Sequence, residues 1–178
     1  MWKTLSSKKI ISNKNLVIVE DKVLLPSGIK TTYLRFEYKT DAVLVIVTRK
    51  DGKILLEKEY SYPQNTELYQ FPAGALNQKE TPLDGVNREL VEETGILAEK
   101  LKEIGTFLLD NRHSTAKVHV FLGEMREIKP LKLHIDNEED IKSFWFSETE
   151  IDNMIKNGDI LIFPVLSAWS MYKLKIAL

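Results

Sequence analysis

Glu92 and Glu93 follow Glu89 by three and four residues in the run Gly74 to Ile96, GALNQKETPLDGVNRELVEETGI. On a helix these spacings put carboxylates on one face, where like charges repel by roughly 0.2–0.5 kcal/mol per pair. Gly95 is placed to end that helix, so the three acids also crowd the negative end of its dipole. A sequence that breaks two local rules at one place is expected to gain something there, and a bound cation is the simplest compensation. Oxygen ligands suit a hard divalent ion, and Mg²⁺ keeps several waters while bridging a few carboxylates to substrate phosphates. The chemistry to expect is therefore on phosphates. The competing account of the cluster alone is a solvated helix face.

The helix that must present these acids has clear boundaries. Thr81 suits the N-cap, Pro82 the first helical position, and Asp84 stands three residues after the cap. Steps of about 100° put Leu83, Val86 and Leu90 on one face, and Gly85, Glu89, Glu92 and Glu93 on the other. Arg88, four residues before Glu92, is placed to hold a carboxylate without occupying the site. Gly85 costs roughly 1 kcal/mol against alanine inside a helix. Its position one turn before Glu89 predicts that it clears room for metal, water or phosphate.

Around this helix the chain reads as mixed strands. Asn15 to Leu25 and Lys30 to Tyr38 flank Pro26-Ser27-Gly28 and predict a two-stranded ribbon. Asp41 to Thr48 is a nearly continuous apolar run, expected to be buried on both faces and joined through a type I′ turn at Asp51-Gly52 to Lys53 to Tyr60. A short strand, Glu67 to Phe71, delivers Pro72-Ala73-Gly74. Strands over Lys100 to Leu109 and Lys117 to Met125 flank the polar loop Asp110 to Ser114. An acidic loop, Asp136 to Asp140, precedes a strand at Ser143 to Phe146. Ser147 caps a helix over Glu148 to Lys156 that ends at Asn157-Gly158, and a last helix starts near Phe163. The pattern predicts an α/β or α+β sandwich.

Composition narrows the class. With 178 residues, 43% of them apolar, the chain can bury a proper core, and the size prior favours one domain. A net charge of −1 gives no global pull towards polymeric nucleic acid or an anionic membrane. The absence of cysteine excludes disulfides and thiolate metal sites and fits a reducing cytoplasm. The first residues lack the apolar core of a secretory signal. The run from Ile160 to Tyr172 is short of the ~20 apolar residues a spanning helix needs. His113, His119 and His134 are too scattered to suggest zinc.

The whole pattern says more than the cluster. Glycine, five residues, glutamate, seven residues, then Arg-Glu-Leu-x-Glu-Glu-x-Gly-Ile is met by Gly74, Glu80, Arg88, Glu89, Leu90, Glu92, Glu93, Gly95 and Ile96. This resembles the signature box of the Nudix hydrolases. The resemblance implies an α/β/α sandwich with a mixed sheet, and metal-assisted hydrolysis of a nucleoside diphosphate linked to another moiety. It implies Glu89, Glu92 and Glu93 as metal ligands, the Ala73 carbonyl as a further one, and Glu80 and Arg88 as organisers of the site. The metal implied is Mg²⁺, with Mn²⁺ as an alternative. Two ions would neutralise the diphosphate while water attacks phosphorus in line.

Beyond the box, the chain resembles the ADP-ribose pyrophosphatase branch of that family over nearly its whole length. The residues that carry this are Val23 to Gly28, Glu59-Tyr60-Ser61-Tyr62-Pro63 and Phe71-Pro72-Ala73-Gly74. The branch implies one catalytic domain over 1–178, with an N-terminal ribbon (1–40) used in a homodimer and a catalytic core (41–178). It implies ADP-ribose or a related nucleoside diphosphate sugar as substrate. Another nucleoside diphosphate derivative, or a nucleotide sensor without catalysis, are the alternatives. Asn137 to Ile141 resembles the loop that supplies the branch's base, with Glu139 the better match and Glu138 next; Glu89 or Glu92 could serve instead. Arg112, Lys117 and Tyr60 are candidates for phosphate, ribose or base contacts, against the plainer account of surface solvation or core packing. Ser61 where arginine is frequent, Gln70 where glutamate is frequent, and a 110–114 loop without proline leave sugar and base open.

Overall fold

A computed structural model describes residues 1–13, 16–128 and 141–176. The chain forms two compact units, one comprising 1–41 and 108–117, the other 42–107 and 118–178.

The first unit is built on an antiparallel sheet, β1 (Lys3–Ser12), β2 (Leu16–Leu24) and β3 (Lys30–Tyr38), in that order. The expected ribbon therefore has a third strand. β1 was not legible because every one of its residues is exposed, so no burial imposes the alternation that marks a strand. Central β2 does alternate, burying Val17, Val19, Asp21 and Val23. Arg35 on β3 pairs with Asp21 at 2.6 Å and also with Glu37, so the one buried acid of this sheet carries a cation beside it.

The second unit holds a mixed sheet ordered β10-β5-β4-β9-β8. Its strands are β4 (Ala42–Thr48), β5 (Ile54–Ser61), β8 (Ile96–Leu108), β9 (Lys117–Ile128) and β10 (Lys142–Phe146). Short β6 (Thr66–Gln70) pairs with β5, and β7 (Ala73–Ala75) with β4. β4 and β9 run parallel, and the ladders of β5 with β6 and β10 are antiparallel. As the apolar run predicted, Val43 to Val47 are all at most 1% exposed. Val43, Val45 and Val47 pack with Val86 and Leu90 of helix α1 (Pro82–Thr94). Leu44 and Ile46 point to the other face, where helix α3 (Phe163–Ile176) contacts β4 and Trp169 stacks on Phe71. The sheet thus lies between helices, the expected sandwich.

The turn after β4 differs from expectation. A type I′ turn needs positive φ at both central residues, whereas Gly52 alone in this turn has it, at +80°. Gly52 N donates to the Arg49 carbonyl and Arg49 N to the Lys53 carbonyl, while the Asp51 side chain grips Arg49. Helix α2 (Glu148–Asn157) has the predicted Ser147 cap, completed by Glu150 into a capping box, and Gly158 ends it at φ +81°.

Candidate active site

α1 starts and stops where its sequence says it should. Thr81 Oγ1 accepts from Asp84 N at 3.2 Å, and Gly95, at φ +69°, closes the helix by donating to the Val91 carbonyl. Val86 and Leu90 are buried as expected, but Leu83 is 47% exposed and Gly85 is buried. The apolar stripe is rotated towards Gly85 because Leu76, which follows β7, packs there. A methyl built on Gly85 would overlap Leu76 Cδ2 and come within 3.3 Å of Glu80 Oε2. Gly85 therefore gives room to Leu76 and Glu80.

Arg88 is the hub of the site. Its Nε and Nη2 each donate at 2.8 Å to one oxygen of Glu80, a bidentate pair. Nη1 reaches Glu89 Oε1 at 2.8 Å and Glu92 Oε2 at 3.0 Å, and Nη2 reaches the Ala75 carbonyl at 3.1 Å. All the donors of the guanidinium are thereby used. The repulsion read from the acidic cluster is answered within the helix, and by more than the single carboxylate expected of Arg88. Glu80 also accepts from Asn77 N at 2.7 Å, and its carboxyl is pulled down to about 2, first by Arg88 and then by that amide.

Glu89 is under the opposite influence. Its side chain is only 14% exposed, and burial lifts its carboxyl above the ordinary 4.5 despite Arg88, with Glu92 and Glu80 adding repulsion. It rests on Gly74, where any side chain would collide with its carboxylate. The Gly74 of the box is thus explained by a close approach. Glu93 accepts from Ala73 N at 3.2 Å, tying the end of α1 to β7. Glu92 is 45% exposed.

The remaining candidate residues have contacts of their own. Tyr60 is half-exposed, and its hydroxyl donates to Asn65 Oδ1 at 2.8 Å, bracing the turn after β5. Arg112 and Lys117 are exposed in the first unit. There Asp110 caps the turn through Arg112 N and His113 N, and the His113 ring stacks on Tyr33 and Phe36. Lys117 N donates to Asp41 Oδ1 at 2.9 Å. Glu138 and Glu139 lie outside the described residues, as does His134. Sequence reasoning missed the Ala75 carbonyl, Leu76, and a contact between Gln70 Nε2 and Glu59 Oε2. The last could have been suspected from a glutamine where glutamate is frequent.

The donor set fits a hard divalent cation in its chemistry. It is all oxygen, and its most buried member, Glu89, is held in an environment that disfavours its charge, which a cation would reverse. Among the described residues no three acidic or histidine side chains are gathered to hold an ion as they stand, because Arg88 draws Glu89 and Glu92 to itself.

The sandwich and its arginine-organised acidic helix are those of a hydrolase of the NUDIX family, to which the chain belongs, the NUDIX domain matching residues 38–166. Members of this family generally use divalent ions. An ADP-ribose pyrophosphatase of Bacillus subtilis (strain 168) is 28% identical over 176 residues, 99% of this chain and 95% of that protein. A methanol dehydrogenase activator of Bacillus methanolicus is 27% identical over 137 residues, 77% of this chain and 74% of that one. A crystal structure of an ADP compounds hydrolase superposes with a TM-score of 0.88 at 17% identity, covering 99% of this chain and 94% of that one, which supports the fold.

Proposed function

We propose that this hydrolase cleaves the diphosphate of ADP-ribose or a related nucleoside diphosphate sugar, with Mg²⁺ or Mn²⁺, to a nucleoside monophosphate and a sugar phosphate. The observation that carries the reading is the near end-to-end likeness to the Bacillus subtilis ADP-ribose pyrophosphatase. Glu89, Glu92, Glu93 and the Ala73 carbonyl would hold the ion, which supplies neutralisation of diphosphate charge and acidification of water. Arg88 and Glu80 hold the carboxylates in place. Glu139, with Glu138 as second candidate, takes the proton from the attacking water, while Arg112, Lys117 and Tyr60 contact substrate. In this reading the whole chain works as one domain in the cytoplasm. It works there as a homodimer through its N-terminal strands, whose exposed Leu5, Ile10 and Ile11, with Trp2 just before β1, give an apolar surface to cover. Among the described residues no helix is long and apolar enough to cross a membrane.

The test is a panel of ADP-ribose, other nucleoside diphosphate sugars, dinucleoside polyphosphates and nucleoside triphosphates, each with Mg²⁺ and with chelator. Turnover confined to triphosphates would overturn the substrate class. An unchanged rate for Glu139→Gln at saturating Mg²⁺ would remove that residue as base.

A further inference from the structure

The segment Phe71-Pro72-Ala73-Gly74, within the second unit, touches α1 through its last two residues and α3 through its first. Ala73 N donates to Glu93 Oε2 at 3.2 Å, and Gly74 lies so close to the Glu89 carboxylate that no side chain fits there. Phe71 is fully buried, and its ring stacks on Trp169 of α3 with centroids 6.4 Å apart. Between these contacts the backbone has little freedom. Proline holds its own φ at about −65° and confines the residue before it to extended conformations. The Pro72 carbonyl also accepts from Val45 N of β4 at 2.9 Å. A displacement of the Phe71 ring is therefore passed on to the Ala73 peptide instead of being absorbed on the way.

Trp169 is itself held on several sides. It is 5% exposed, its Nε1–H donates to Asp152 Oδ1 at 2.8 Å, and its ring stacks on Tyr172 with centroids 5.1 Å apart. Lys173 Nζ stands 5.3 Å from the ring centroid and donates to Glu148 and Asp152, while the Tyr172 hydroxyl donates to Glu148. Filling the core at position 169 would need only an apolar side chain of suitable volume. The buried N–H and its acceptor fix the plane of the ring as well. That plane is what Phe71 rests on.

We propose that Trp169, oriented by Asp152, is a positioning residue for the divalent ion: through Phe71 and Pro72 it sets where the Ala73 carbonyl stands relative to Glu89 and Glu93. This rests on the reading above, in which Ala73, Glu89 and Glu93 are ligands of the ion. Coupling between two places in a protein is reciprocal, so an ion held at the acids also disturbs the surroundings of Trp169.

The test reads the coupling in both directions on the full chain. The chain has three tryptophans, and replacing Trp2 and Trp145 by phenylalanine in turn assigns the indole N–H resonance of Trp169 in ¹⁵N-labelled protein. In the unaltered protein Mg²⁺ should move that resonance over the same concentrations at which calorimetry shows the ion binding. In the other direction, Trp169→Leu, which keeps an apolar side chain but no ring plane, should weaken Mg²⁺ about tenfold, the lower end of what groups supporting metal ligands contribute. Trp169→Phe restores a ring against Phe71 and should stay within about threefold of the parent. A purely structural role would lower the thermal midpoint of both variants and leave their Mg²⁺ affinity at the parent's value, which would overturn the inference. An unmoved Trp169 resonance in unaltered protein that binds Mg²⁺ would also overturn it, and decides the matter even where Trp169→Leu does not fold. If the unaltered protein binds no Mg²⁺, the ligand reading itself falls and this inference with it.

Discussion

Gly85→Ala sets two opposed terms against each other inside α1. Replacing a mid-helix glycine by alanine should stabilise the helix by about 1 kcal/mol. Against this, the new methyl would occupy the space of Leu76 Cδ2, and Glu80 Oε2 would stand 3.3 Å from it. Overpacking of this kind typically costs about 1–3 kcal/mol. Leu76 is half-buried at the edge of the core and can partly swing away, which favours the lower half of that range, so the net loss should be at most about 1 kcal/mol. Urea unfolding would read it as a lower midpoint with an unchanged slope. Leu76→Ala removes the obstruction, and in that background Gly85→Ala should become neutral or stabilising, a coupling a double-mutant cycle measures directly. Apparent metal affinity should stay within about twofold. A Gly85→Ala protein of full stability with weakened metal binding would refute the packing account and restore the idea that this glycine clears space for the ion.

Glu80, held at about 2 against an ordinary 4.5, contributes stability that is present above pH 4.5 and lost as pH falls towards 2; the stability gap between the parent and Glu80→Gln should close over that window. Glu89 has the opposite sign. Its raised carboxyl makes the native state bind protons more readily than the unfolded one, so its charge costs metal-free stability once pH rises above 4.5 and the group ionises. Glu89→Gln should therefore raise the thermal midpoint of metal-free protein at pH 7, lose that advantage near pH 4, and abolish turnover; a lower midpoint at pH 7 would contradict the burial argument. Arg88→Lys breaks the bidentate grip on Glu80 and should cut kcat/KM by about 10–100-fold, the usual cost of losing a group that orients metal ligands. Added Mg²⁺ should raise the thermal midpoint of the parent in a concentration-dependent way, and chelator should return it; no shift at millimolar Mg²⁺ would argue against Glu89 and Glu93 as ligands.

Where a rule acts locally, the sequence was readable. The ends of α1 and α2 follow from a hydroxyl cap at one side and a left-handed glycine at the other, and β4 follows from a run too apolar to face water. Features set by distant chain were not. β1 is edge structure with both faces exposed, so its pattern is that of a loop. The rotation of the α1 stripe, exposing Leu83 and burying Gly85, is imposed by Leu76 approaching from outside the helix. Tyr60, which a strand pattern alone would assign to core, spends its hydroxyl on Asn65 and stays half-exposed.

The acidic helix illustrates why charge counting along one face is incomplete. As three like charges near a helix end it calls for an ion; with Arg88 in place, Glu80, Glu89 and Glu92 are all ion-paired, and Glu93 holds a backbone amide. Each of these acids therefore has a partner within the chain. What the arrangement leaves unsatisfied is narrower: a single carboxylate, Glu89, pressed onto Gly74 and kept from water more strongly than one shared guanidinium contact can repay. A cation arriving there would reverse the cost at the group that bears it, while the bidentate Arg88–Glu80 pair, whose acid stays ionised far below neutral pH, would keep its geometry. The two carboxylates of the motif thus differ in kind: Glu80 secures the helix to its loop, and Glu89 is held in a state that a divalent ion would relieve.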